Sequence, residues 1–328
     1  MKTLLEVRNL KKYFPVKHGF FGGSSQFIHA LENISFDLYE GETLGVVGES
    51  GSGKSTLGRI ILRLDTPTDG TIHFEGKDVT SLRGGKLKIF RESFQMVFQD
   101  PYSSLNPRLT VGHAIAEPMR IHRKVKNFQG AKSAVADILK QVGLQPEMAN
   151  HYPHNFSGGQ RQRIGIARAL SLRPRVLICD EAVSALDMSV QAQVLNLFNQ
   201  LKRNLNLTYI FIAHDLSVVR YISDRIMVMY LGQIMELAPK DGLFEKRCHP
   251  YTASLISASP EPSTKPRPGR IILKGEIPGS LNPPSGCPFH TRCFKTVDAC
   301  RSLLPKLHEV EKGHFVRCHF YDKEWGKL

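Results

Sequence analysis

The chain has 328 residues, 41% of them hydrophobic, with six cysteines and a formal net charge of +14 from 44 Lys and Arg against 30 Asp and Glu. That length and composition support a full core, in one large domain plus a smaller one, and the sparse, irregular cysteines exclude the dense disulfide framework of a small secreted domain. No run reaches the roughly 18 uninterrupted apolar residues of a membrane span, and the opening MKTLLEVRNLKKYF lacks the apolar core of a signal peptide, so a cytoplasmic location is expected. The positive balance suits an acidic partner, whether nucleic acid, anionic lipid or a nucleotide, but no basic stretch is interleaved with aromatics as in a nucleic-acid recognition module.

In chain order, residues 4–10 and 34–38 alternate like strands, separated by a loop with a Gly22-Gly23-Ser24-Ser25 tip. Residues 44–47 read as a short buried strand, and 57–64 as a helix. A strand at 71–74 precedes a turn at Gly76-Lys77-Asp78, and a further strand at 95–98 leads into Gln99-Asp100-Pro101. From 111 to 144 the apolar residues recur at helical spacing (Ile115, Met119, Val135, Ile138, Leu139, Val142), with Gly143 as a stop. Ser157 caps a further helix carrying Ile164, Ile166, Ala167 and Leu170. Strands at 175–179, 209–213, 225–230 and 233–237, with a helix at 190–205, complete an alternation that predicts a largely parallel sheet. After about Lys246 the composition shifts: Pro260, Pro262, Pro266 and Pro268 suggest an exposed linker before a cysteine-containing tail.

Between the 44–47 strand and the following helix lies GESGSGKST, comprising Gly48, Glu49, Ser50, Gly51, Ser52, Gly53, Lys54, Ser55 and Thr56. It fits the G-x-x-x-x-G-K-[ST] phosphate loop. Its glycines let backbone N–H groups turn inward onto a nucleotide's phosphates, Lys54 reaches the β and γ oxygens, and Ser55 offers its hydroxyl to Mg²⁺. The helix that follows presents its positive end to the same phosphates. The second half of such a site is an apolar strand ending in acids. LICDE supplies it: Asp180 to hold Mg²⁺ and Glu181 to polarise the water that attacks the γ-phosphate.

The nucleotide loop, Gln99 after a strand, SGGQ (Ser157, Gly158, Gly159, Gln160), LICDE and His214 after the next strand come in fixed order, and together they resemble the ATP-binding cassette (ABC) family. The resemblance implies an α/β P-loop NTPase fold of the ABC type, with a RecA-like core, a helical subdomain at about 101–172 and an N-terminal antiparallel β subdomain. It implies ATP and Mg²⁺ as ligands, Gln99 contacting Mg²⁺ and the attacking water, and His214 on the γ-phosphate. It further implies Ser184, Ala185, Leu186 and Asp187 as the D-loop, and Phe14 as the aromatic that stacks on the base. SGGQ would serve ATP held by a facing subunit, and its chemistry fits: a capped helix N-terminus with two glycines lets backbone donors approach a phosphate closely. Ala182 stands where many relatives have proline.

FQDPYSSLNPR, RYISDRIMVMYLGQIME, HPYTASLISASP and GEIPGSLNPPSGCPFHTRC extend the likeness to the ATP-binding subunits of bacterial dipeptide and oligopeptide importers, most closely the second of their two ATPases. This implies an ATPase domain at 1–245, a linker at 246–270 and a C-terminal oligopeptide-transporter-type cysteine domain at 271–328. The implied partners are a second homologous ATP-binding subunit (a heterodimer), two transmembrane permease subunits and an extracytoplasmic peptide-binding protein, without nucleic acid. The implied place is the cytoplasmic face of the bacterial plasma membrane. Nickel, glutathione and oligosaccharide importers share much of the pattern. A soluble cassette ATPase acting on nucleic acid or ribosomes is the reading from a different class. The single cassette, and the short span between Gly53 and Ser157, argue against it.

Cys287, Cys293, Cys300 and Cys318 leave gaps of five, six and seventeen residues, without the C-x₂-C pairs of a zinc ribbon. Four thiolates suit a [4Fe-4S] cluster, which resembling subunits carry at this tail; zinc and four plain thiols are the alternatives. Cys179 reads as buried and Cys248 as a helix lead-in. His249, His290 and His319 are expected at the surface.

Overall fold

The computed structural model describes residues 2–16, 26–100, 104–258 and 271–321. Its strands are β1 (Thr3–Val16), β2 (Gln26–Tyr39), β3 (Thr43–Val47), β4 (Asp69–Phe74), β5 (Lys77–Asp78), β6 (Phe94–Val97), β7 (Val176–Asp180), β8 (Thr208–Ile212), β9 (Arg225–Tyr230), β10 (Gln233–Pro239), β11 (His308–Glu311) and β12 (His314–Val316). Its helices are α1 (Lys54–Ile61), α2 (Gly84–Ser93), α3 (Val111–Ile121), α4 (Phe128–Gln141), α5 (Gly158–Leu170), α6 (Met188–Leu205), α7 (Leu216–Ile222), α8 (Lys240–Lys246), α9 (Pro250–Ala258) and α10 (Ala299–Ser302). None is long and apolar enough to cross a membrane, among the described residues.

The chain forms two compact units. One comprises residues 39–42 and 81–212. Here β6, β7 and β8 pair in parallel, Phe94 opposite Val176 and Val176 opposite Thr208. Every residue of β7 and β8 is buried, which is why both read as unbroken apolar runs: a parallel strand covered on both faces has no polar side. Phe198 of α6 meets Tyr209 and Phe211 edge-on, at centroid distances of 5.7 and 5.6 Å. The expected helical stretch divides into α3 and α4, and Gly143 ends it at φ 73. Helix α2 was not expected. It opens on two glycines and buries only Phe90, so it lacks the apolar stripe that marks an amphipathic helix.

The other unit comprises residues 2–38, 43–80 and 213–328. One of its sheets has the order β2-β1-β4-β5, with β1 and β5 each antiparallel to β4. Residues 77–78, read from sequence as part of a turn, pair as the short strand β5. In the second sheet β9 is parallel to β3, β10 is antiparallel to β9, and β12 then β11 continue outward in antiparallel fashion. The cysteine tail thus adds its own hairpin to the edge at β10. Part of the expected linker is structured as well: α9 buries Tyr251, Thr252, Ser254 and Ile256, because its apolar residues pack rather than face water. The prolines from 260 to 268 and the loop tip at 22–25 lie outside the described residues.

Candidate functional site

Strand β3 is buried throughout and delivers the chain into the glycine loop. A side chain at Gly48 would meet the Met229 carbonyl at 2.2 Å, and one at Gly53, where φ is 97, would meet the Ala30 carbonyl at 2.5 Å. Glycine is required at both. Helix α1 begins at Lys54, three residues earlier than its apolar pattern suggests, because Ser55 and Thr56 belong to its first turn. The Lys54 amine donates to the carbonyls of Gly48 at 2.8 Å and Glu49 at 3.0 Å, and is buried against the loop. Phe14, on β1, is half-buried, with the Lys12 amine 4.7 Å from its ring centroid. His214 is exposed beyond β8, just ahead of α7, which Asp215 caps through the Ser217 N–H.

In the other unit, β7 ends in Asp180, which is buried. Glu181 follows with φ at 48, a left-handed conformation costing about 1 kcal/mol or more for a residue other than glycine. Its N–H, donated to the Ile212 carbonyl at 2.9 Å, holds it there. The Gln99 side-chain amide donates to the Glu181 carboxylate at 2.8 Å, so two residues 82 apart in sequence share one spot. Ser184 closes the following turn onto the Glu181 carbonyl, and Asp187 caps α6 through the Val190 N–H. The Val190 N–H, and then the Ser189 hydroxyl, hold the Asp187 carboxyl below its ordinary range. The Ser157 hydroxyl caps α5 by accepting the Gln160 N–H, and the Gln160 side chain accepts the Ser157 N–H in return.

A scan of family models matches residues 31–184 to the ABC transporter family and residues 235–300 to the oligopeptide/dipeptide transporter C-terminal region. The oligopeptide transport ATP-binding protein AppF of Bacillus subtilis is 51% identical over 325 residues, covering 98% of both chains. A probable peptide ABC transporter ATP-binding protein of Sinorhizobium fredii is also 51% identical, over 97% of this chain and 90% of that one. The chain belongs to the ATP-binding proteins of oligopeptide and dipeptide ABC transporters. Among solved structures, the dimeric cassette MJ0796 bound to ADP and Pi is 30% identical with a TM-score of 0.62, covering 72% of this chain and 99% of that one.

In this transporter protein the tail reaches the nucleotide loop. The Arg292 guanidinium donates to both oxygens of the Glu49 carboxylate, at 2.6 and 3.2 Å, and Tyr251 Oη accepts the Glu49 N–H at 2.8 Å. That carboxylate raises Arg292 further above its ordinary value. Tyr230, Tyr251 and Phe289 pack beneath with centroids 4.9 to 5.3 Å apart. Sequence reasoning missed Arg292, Tyr230 and Tyr251, since no local signal joins residues separated by 202 and 243 positions.

Cys287, Cys300 and Cys318 are buried and Cys293 is half-buried. Burial, and then the neighbouring thiols, push Cys287 up to about 12 and Cys318 up to about 11, so both are protonated at neutral pH unless a metal replaces the proton. Gly286, at φ 66, lets the Cys287 N–H donate to the Cys300 carbonyl at 2.8 Å. The surface reading of two histidines is corrected. His249 and His319 are both buried. His249 Nδ1 accepts the Tyr251 N–H, and burial pushes its pKa down to about 4, which keeps the ring neutral; His319 is tied to the Leu303 carbonyl.

Proposed function

We propose that this chain is the ATP-hydrolysing subunit of a membrane importer for dipeptides or oligopeptides, converting ATP and water to ADP and phosphate to drive translocation. The observation that carries the reading is the 51% identity to an oligopeptide transport ATP-binding protein over 98% of both chains. In this reading the loop from Gly48 to Thr56 binds the phosphates, Ser55, Gln99 and Asp180 hold Mg²⁺, and Phe14 stacks on the base. Glu181 activates the water and His214 contacts the γ-phosphate. The Gln99–Glu181 hydrogen bond supports that pairing of roles. Residues 157–160 serve ATP of a facing cassette and residues 184–187 line the junction; the dimeric form of the similar MJ0796 cassette supports a paired arrangement.

The partners of this reading are a second, homologous ATPase, two permease subunits and an extracytoplasmic peptide-binding protein, with the chain on the cytoplasmic face of the membrane. Cys287, Cys293, Cys300 and Cys318 would hold a [4Fe-4S] cluster, which would supply a rigid cross-link and a redox-sensitive group beside the loop that carries Arg292. The Cys287 N–H, donated to the Cys300 carbonyl at 2.8 Å, supports a common site for at least these two. Zinc on the same thiols is the alternative.

Purification of the tagged chain from native membranes in mild detergent, followed by reconstitution in vesicles, tests the function. Co-purification of two multi-span subunits and a second ATPase, with turnover stimulated by peptide-loaded binding protein, is the expected result. Stimulation only by nickel-, glutathione- or oligosaccharide-loaded protein would reassign the cargo. Recovery of soluble partners or nucleic acid alone would overturn the importer.

A further inference from the structure

Away from the nucleotide loop and the four tail thiols, three other potential ligands converge. Glu236 lies mid-way along β10 and is fully buried, His314 begins β12 and is 2% exposed, and Cys248 sits in the turn between α8 and α9. One ligand atom from each lies within 4.8 Å of the others, which no other such trio does among the described residues. The Glu236 carboxylate is 2.8 Å from His314 Nε2 and accepts the backbone N–H groups of Cys248 at 3.1 Å and His249 at 2.9 Å. No lysine or arginine side chain bonds it among the described residues. A buried carboxylate is costly unless a cation lies beside it.

We propose that Glu236, Cys248 and His314 form a zinc site that staples the tail hairpin to β10. One thiolate, one imidazole and one carboxylate are the mixed S, N and O donors that zinc accepts, and a thiolate plus a carboxylate neutralise a divalent ion. Tetrahedral zinc sets such donors about 3.3–3.8 Å apart, so pairs now up to 4.8 Å apart would close by about 1–1.5 Å while Glu236 and His314, at 2.8 Å, would open by about 0.5–1 Å. The two backbone N–H groups on Glu236 act as outer supports that aim its oxygens. A water supplies the fourth position. The three protein ligands come from β10, the turn before α9 and β12. Binding therefore ties together elements up to 78 residues apart in sequence, and the ion's binding energy adds to the stability of that arrangement.

The test uses the full chain, stripped with a chelator and titrated with Zn²⁺ or Co²⁺ alone, beside Cys248→Ala, a small change that spares the buried Glu236 and His314. The wild type should hold one more zinc equivalent than the variant. X-ray absorption of that zinc should fit one sulfur with nitrogen and oxygen neighbours, and zinc should raise the melting midpoint by a few degrees in the wild type only. Cobalt should give a thiolate charge-transfer band that Cys248→Ala loses. Equal zinc content and equal midpoint shifts in both proteins, or purely sulfur coordination that survives in Cys248→Ala, would overturn the site and place any zinc on the tail thiols.

Discussion

A methyl group added at Gly159 would lie 2.3 Å from Val190 Cγ1, on the first turn of α6, whereas one added at Gly158 would meet only Leu186 Cδ2 at 3.7 Å. The two glycines of SGGQ therefore differ in kind: the first leaves room for a ligand, and the second also lets two helices touch. Gly159→Ala should destabilise the protein by about 1–3 kcal/mol, the usual range for overpacking, and Gly158→Ala by much less. Val190→Ala should rescue much of the Gly159→Ala loss, read as a positive coupling in a urea-unfolding double-mutant cycle. At Glu181 the prediction is chemical. Glu181→Gln keeps the shape and the contact with Gln99 but removes the carboxylate proposed as the base, so nucleotide binding should persist while turnover falls by about 10²–10⁴-fold. Near-wild-type hydrolysis in that variant would remove Glu181 from the mechanism. Residues of this type were legible in sequence because the chemistry is local: Ser157 and Gln160 are three apart and cap one helix end. The contact that constrains Gly159 was not, since it crosses from α5 to α6.

At the scale of elements, the decisive feature is the fastening of the tail to the loop between β3 and α1. Arg292 is 8% exposed and Glu49 25% exposed, so removing either charge leaves the other poorly solvated. Arg292→Ala should lower stability by about 2 kcal/mol and weaken ATP binding several-fold, because the Glu49 side chain would lose the group that fixes it beside the loop. A nucleotide titration and a melting curve on the same sample check this, and unchanged ATP affinity would show the contact to be structural only. Buried parallel strands such as β7 and β8 announced themselves, as did α5 with its cap. Helix α2 did not: its sequence GGKLKIFRES opens with residues that disfavour helix and turns one apolar side chain inward. The tail hairpin was hidden for another reason. Strands of four and three residues carry too little alternation to be read, and their register is set by β10 rather than by their own pattern.

For the whole molecule, the paired-cassette reading makes a prediction that no single-chain site would make. If each ATP is held by the loop of one subunit and the SGGQ motif of the other, then Lys54→Ala and Ser157→Arg in this chain disable different nucleotides. Lys54→Ala removes the ammonium from this chain's own loop. Ser157→Arg fills the space in front of α5 and costs its cap about 1 kcal/mol, small enough for a melting curve to verify that the protein still folds. In the purified complex, made slow by replacing both catalytic glutamates with glutamine, the parent should occlude two ATP molecules and each single variant one. The Lys54→Ala/Ser157→Arg double should occlude none, even though both changes lie on one chain and the partner is intact. The reverse combination separates the models further. With the partner's own loop lysine replaced, adding Ser157→Arg here should cost nothing more, since both changes strike the same nucleotide. Additive loss in that pair, or one occluded ATP in the double variant, would mean that the motif acts on its own chain's ATP.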